Sequence, residues 1–350
     1  MTCVIIGGIY MQTALADRFF KNGRAFLGVR YPFICGAMTW VSEPGLVSAV
    51  ANAGGFACLA GGNAPPEALE EQIRETRRLT DEPFGVNLIP LAPAYQAHLA
   101  LVRDMACPFV VFAGLPRRKD LASVQENGGK TMCFAATETV GKRMLDNGAD
   151  ALIIEGMEAG GHVGQVSLAV LIQQMLLQKT EVPIFAGGGV VSGRMCAHMF
   201  LMGAAGVQLG TRFAVSEESK AHPDFKQAYI KAKARDAVAT PQVDRRLPVV
   251  AVRAIRNKAT DDFNRLQVEL LQEMETGKIT RTQAQHRLEA FWENRLRNAV
   301  IDGDVSYGSM MAGQSVGLVN RILPVKEIIR ELVTETEAEL ERVRDKLTAG

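Results

Sequence analysis

The chain has 350 residues, 47% hydrophobic and 22% charged, with a formal net charge of +1. That length exceeds a minimal domain and suits a barrel of ~250 residues with an appendage. A charge so close to zero excludes global attraction to nucleic acid or an anionic membrane, so any basic site has to be local.

Met1 to Tyr10 is apolar but short. It lacks a basic flank and a small-residue cleavage site, so it reads as an upstream extension without a structural role. The extension is taken to residue 23. Apolar runs then recur at intervals of a few tens of residues: Pro32–Cys35, Phe56–Ala60, Phe84–Ile89, Pro108–Phe112, Thr131–Phe134, Ala151–Ile154, Pro183–Ala186 and Gly206–Leu209. They are continuous rather than alternating, the pattern of strands buried on both faces. Eight strand–helix units predict an α/β chain of the (β/α)8 TIM-barrel type.

The helices between the runs carry their own punctuation. Ser42 can cap a helix that has Pro44 in its first turn and Leu46, Val47 and Val50 as its apolar stripe, with Gly54 and Gly55 ending it. Asn63 with Pro65 opens a second, carrying Leu69 and Ile73. Thr137 opens another that Asn147 and Gly148 close, and Ser192 starts one that Gly203 ends. After about residue 215 the rhythm breaks. Residues 216–302 are richer in charge and mostly helical in pattern, as in Asp261–Glu275 with Phe263, Leu266, Leu270 and Leu271 on one face. They read as a small, mostly helical lid inserted into a barrel made of residues 24–215 and 303–350. Pro324–Leu347 is an amphipathic helix, with Leu340, Val343 and Leu347 at helical spacing, expected to pack on the barrel or on a second subunit. No apolar run approaches the ~20 residues of a membrane span.

Six cysteines without C-x-x-C spacing, and only 5 histidines, argue against a zinc or iron–sulfur site. No metal cluster is expected, and the cysteines sit in strand-like runs as small hydrophobes, pointing to a reducing, cytoplasmic setting. Chemistry in such a barrel sits at the carboxyl ends of the strands. Gly188 and Gly189 after the seventh run lead into a helix capped by Ser192, and Gly210 and Thr211 follow the eighth. Glycine lets backbone N–H groups approach a phosphate closely, and the helix start adds a favourable dipole. A phosphate-bearing ligand is expected there. His162 lies on a Gly-Gly loop after the sixth run and can give or take a proton near neutrality. Glu155 and Glu158 flank it and could orient it or bind polar ligand atoms. His98, His198, His222 and His286 read as structural or surface residues. Arg245, Arg246, Arg253, Arg256 and Lys258 form the densest basic stretch, suited to nucleotide or carrier phosphates or to a solvated face.

Five segments resemble the flavin-dependent enoyl-ACP reductase II family, a close relative of the nitronate monooxygenases. They are residues 36–40 (GAMTW), 61–65 (GGNAP), 155–162 (EGMEAGGH), 251–257 (AVRAIRN) and 308–314 (GSMMAGQ). The likeness runs from about Arg30 to about Leu332. It implies a TIM barrel holding FMN, with Ala37 and Met38 along the flavin ring and Asn87 and Glu155 on its polar edge. Gly160 and Gly161 would pass close to the ring. Gly188, Gly189, Gln208, Gly210 and Thr211 would hold the ribityl phosphate, and His162 matches the family's active-site histidine. Arg253 and Gln314 are implied as substrate-binding residues. The resemblance further implies NAD(P)H as co-substrate, stimulation by a monovalent cation, an acyl carrier protein or acyl-CoA thioester as substrate, and a homodimer. The activity implied is reduction of trans-2-enoyl thioesters in fatty acid synthesis, with nitronate oxidation by oxygen as the alternative. The chain departs from the reductase pattern at Leu115, where an amide is usual, and its helical lid between about Asp261 and Asn298 is longer.

Overall fold

In the computed structural model, which describes residues 3–6, 9–12, 15–62, 64–178 and 180–349, eight parallel strands close into a barrel. They are β1 (Phe33–Cys35), β2 (Phe56–Ala60), β3 (Gly85–Leu88), β4 (Phe109–Phe112), β5 (Lys130–Ala135), β6 (Ala151–Glu155), β7 (Ile184–Gly187) and β8 (Gly206–Leu209). Each expected run supplies one strand, with ends differing by at most a residue. Closure is made where β8 pairs with β1 through Gln208 opposite Ile34.

The strands are apolar on both faces because each face meets a core. Inside the barrel Ile34, Phe56, Phe109, Met132, Ile153 and Phe185 form one cluster. Phe26 packs against it, its ring 5.9 Å from Phe109 and 5.9 Å from Phe185, and closes the amino-terminal end. Outside the barrel a second, larger cluster joins the strands to the surrounding helices. In order these are α1 (Ala16–Leu27), α2 (Pro44–Asn52), α3 (Pro66–Leu79), α4 (Tyr95–Asp104), α5 (Arg118–Gln125), α6 (Glu138–Asp146), α7 (Leu168–Leu171, continued by a π-helical turn to Leu176), α8 (Gly193–Leu201) and α9 (Thr211–Ala214). They continue with α10 (Pro223–Lys231), α11 (Lys258–Glu275), α12 (Arg281–Val300) and α13 (Val325–Thr348).

Two of the expected caps are in place. Thr137 accepts from the Val140 N–H at 3.2 Å and Ser192 from that of Met195 at 3.3 Å. Ser42 does not cap α2, whose N-cap is Glu43. Its hydroxyl instead donates to Gly36 O at 3.0 Å and accepts from the Met38 N–H at 3.0 Å. Asn63 lies outside the described residues, and α3 starts from Pro65 with Pro66 at its first position.

The boundaries of the expected units need two corrections. Residues 1–23 are not only an extension, since Ala16 and Phe20 of α1 are fully buried in the outer core. Ahead of α1, Cys3–Ile6 and Ile9–Gln12 pair as an antiparallel hairpin that joins no other described strand. Residues 216–239 belong to the barrel rather than to a lid, because Phe225, Tyr229 and Ala237 pack in the barrel's outer core. The lid with its own core is narrower. Leu247, Val252, Phe263, Leu270, Leu288 and Trp292 form it, with α11 lying antiparallel against α12. It is mostly helical, with one strand of its own. Ala251–Ile255 is a strand paired on one edge with Ala237–Ala239 and on the other with Gly161–Val163.

Helix α13 ties the barrel's closing seam from outside. Glu337 accepts from the N–H groups of Leu15 and Ala16 at 3.0 and 2.7 Å, Glu335 from that of Gly193 at 2.8 Å, and Glu339 meets His198 Nε2 at 2.8 Å. No described helix is long and apolar enough to cross a membrane.

Candidate active site

The carboxyl-terminal rim gathers the residues that the sequence singled out. Gly187, the last residue of β7, lies opposite Glu155 on β6 and Gln208 on β8, so the loops after all three strands start side by side. Gly188 and Gly189 have φ of 93° and 74°, a region that favours glycine. A Cβ on Gly188 would stand 2.8 Å from Gly156 O, and one on Gly189 would stand 3.1 Å from the Glu158 Cβ. Among the described residues the backbone N–H groups of Gly188, Gly189, Gly210 and Thr211 have no protein acceptor. Two adjoining turns with four unpaired donors are the donor set a phosphate requires. The turns therefore fit the terminal phosphate of a flavin mononucleotide.

The remaining walls are polar at the rim and apolar beneath. Gln208 is buried, and its side chain lies across Gly36, where an added Cβ would be 3.0 Å from Cδ. Asn87 is buried and donates from Nδ2 to Val111 O at 3.2 Å, leaving its carbonyl oxygen uncommitted. Ala37 and Met38 are half-buried on the β1 loop, which Ser42 pins from behind. The next residue but one, Trp40, has φ of 67°, a conformation costing a non-glycine residue roughly 1 kcal/mol or more. The Glu155 carboxyl sits in the mouth with no partner among the described residues, and burial pushes its pKa up to about 8. At neutral pH it is mostly a neutral acid, able to donate a hydrogen bond as well as accept one.

The β6 loop brings Gly160 so near the 308–314 segment that a Cβ there would be 2.5 Å from the Ala312 carbonyl carbon. That segment is bolted to the rim twice: Gly313 N–H donates to Thr211 Oγ1 at 3.1 Å and Gln314 N–H to Glu158 O at 2.9 Å. Gly161 has φ of 79° and starts the strand that carries His162 out to the lid. The imidazole is about half exposed, and its Nε2 is 3.2 Å from Glu289 Oε2 on α12.

Two expectations about these residues are corrected. Glu158 does not orient His162; its carboxylate accepts from the Leu168 N–H at 3.0 Å. Arg253 is not an exposed substrate ligand, since it is buried and donates to Met157 O at 3.0 Å and Ala237 O at 2.7 Å. It clamps the lid sheet to the β6 loop. Of the two uses open to the basic stretch, the solvated face fits its exposed members: Arg246 pairs with Asp244 and Glu275, Arg256 with Asp261, and Lys258 donates to the Tyr307 hydroxyl. Gln314 is exposed at the start of a 3-10 turn. Sequence reasoning missed Ser42's service to the β1 loop and the Glu289 carboxylate. The first carried a signal read as a helix cap, and the second is an exposed helical glutamate with none.

The profile described as Nitronate monooxygenase matches residues 22–105 and 89–335, most of the chain. The protein belongs to the nitronate monooxygenase family. It shares 34% identity with FabK from Thermotoga maritima, with a TM-score of 0.81 over 92% of this chain and 98% of that one. A nitroalkane oxidase from Streptomyces ansochromogenes superposes with a TM-score of 0.75 at 26% identity, over 92% and 99% of the two chains. Among curated relatives, the (3aS,4S,5R,7aS)-5-hydroxy-7a-methyl-1-oxo-octahydro-1H-indene-4-carboxyl-CoA dehydrogenase of Rhodococcus jostii (strain RHA1) is 28% identical over 93% of this chain and 96% of its own. The shared barrel and family make the protein a flavin-dependent oxidoreductase.

Proposed function

We propose that the protein is an FMN-dependent reductase of trans-2-enoyl thioesters, drawing its electrons from NAD(P)H. The observation that carries this reading is the juxtaposition at one rim of four unpaired backbone donors and a histidine loop. Likeness to FabK at 34% identity supports the choice of substrate, as does a relative named for an acyl-CoA.

In this reading the N–H groups of Gly188, Gly189, Gly210 and Thr211 hold the cofactor's phosphate, and Gln208, Asn87 and Glu155 hold the polar edge of its ring. FMN, when bound, supplies the hydride chemistry that the side chains of this site cannot. The chain's own residues bind, exclude water and move a proton. His162 delivers a proton to the α-carbon of the thioester, directly or through a water that it orients. The neutral Glu155 acid is a donor for whichever ring atom carries developing negative charge.

The test is spectroscopic. Under anaerobic conditions NAD(P)H should bleach the yellow protein, and crotonyl thioester should restore the colour. His162→Ala should retain the flavin while lowering kcat by about 10²–10⁴-fold, the usual worth of a positioned acid or base. Full turnover in that variant would remove the proton role. Family membership favours one second reading, oxidation of alkyl nitronates with oxygen as acceptor. It expects oxygen uptake with a nitronate, no requirement for NAD(P)H, and no colour recovery with enoyl thioester.

A further inference from the structure

His162 is held from the lid, and its partner comes from neither its own loop nor the barrel. Its Nε2 lies 3.2 Å from Oε2 of Glu289 in the middle of α12. A carboxylate can only accept, so the proton of this contact belongs to Nε2, and Nδ1 is the atom at which the ring gains or gives up its second proton. No other described group makes a hydrogen bond or ion pair with the ring. We infer that Glu289 is a positioning residue for the reaction, fixing the imidazole by Nε2 so that the protonated ring delivers its second proton from Nδ1 and returns to the neutral Nε2–H form.

The surroundings leave Glu289 as the group that orients the ring. Glu158, on the same loop as His162, is engaged by the Leu168 N–H. On the paired strand, Arg253 is buried and bound to Met157 O and Ala237 O. On α12 itself, His286 and Glu293 lie one turn to either side of Glu289. The Glu289 carboxyl is held below the usual glutamate range by its hydrogen bond and charge interaction with His162, against an opposing effect of burial. The pair is partly solvated, so the expected effect is moderate.

The role assigned to Glu289 rests on His162 being the proton donor proposed above, and the experiment separates the two. In flavin-loaded protein labelled with ¹⁵N-histidine, the His162 signal should show the Nε2–H tautomer. In Glu289→Gln that tautomer preference should weaken, and kcat with enoyl thioester should drop roughly three- to fivefold, as expected for a half-exposed pair. KM and the melting temperature should hold, and Glu289→Asp should recover part of the tautomer preference and of kcat. A merely structural glutamate would leave the tautomer and kcat where they were. An unchanged His162 tautomer in Glu289→Gln, alongside lost turnover in His162→Ala, overturns the inference alone. Full turnover in His162→Ala overturns the function assigned to His162, and with it the catalytic meaning of the pair.

Discussion

Ser42 uses one hydroxyl twice, accepting from the Met38 N–H and donating to Gly36 O, and so sets the curvature of the β1 loop. Ser42→Ala leaves the part-buried Met38 N–H without its partner and the buried Gly36 carbonyl oxygen with only the weak Cys35 thiol at 3.7 Å. A loss of about 1–3 kcal/mol is expected, together with weaker flavin retention, measured by thermal melting and by flavin titration. Gly188 makes a sharper case. Alanine there would meet both a positive φ and the Gly156 carbonyl 2.8 Å away, so Gly188→Ala should purify largely colourless. Glu155 gives a pH signature. Its carboxyl titrates near 8 in the folded chain, against 4.5 for an ordinary glutamate. The folded state therefore holds a proton that the unfolded state has released. The neutral acid is tolerated fully below about 4.5, and stability is lost as pH rises from there to about 8. Flavin-free protein should show this fall in melting temperature across that window, and Glu155→Gln should flatten it.

At the scale of elements, the eight strands were legible because a strand buried on two faces leaves an unbroken apolar run, and no other local pattern does so at that length. The glycine turns after β7 and β8 were legible for a related reason: tight backbone needs glycine wherever it occurs. Other features were hidden by the same logic. Residues 216–239 carry the charge and period of a lid, and only the structure places Phe225 and Tyr229 in the barrel's outer core. Arg253 sits in a basic run, and only its burial against Met157 O and Ala237 O separates a clamp from a phosphate ligand. Ser42 obeys the capping rule in sequence, but its neighbour Glu43 takes the N-cap position. Helix α1 shows how a long-range cap escapes a local reading. Its first N–H groups are satisfied by Glu337, at the far end of the chain. Glu337→Ala should cost about 1–3 kcal/mol and loosen α1, visible as faster amide exchange in Ala16–Leu27.

Taken whole, the molecule is a barrel sealed below by phenylalanines and roofed in part by a lid that shares backbone with the reaction loop. The strand Gly161–Val163 is at once the continuation of the β6 loop and the edge strand of the lid sheet, pairing His162 with Val252. Arg253 clamps the same junction from inside. Arg253→Ala should loosen the lid core, and a change in emission from Trp292 well below the melting point of the barrel would report it. A roof stitched in this way shares its edge strand with His162, so any outward swing of the lid would carry the imidazole with it.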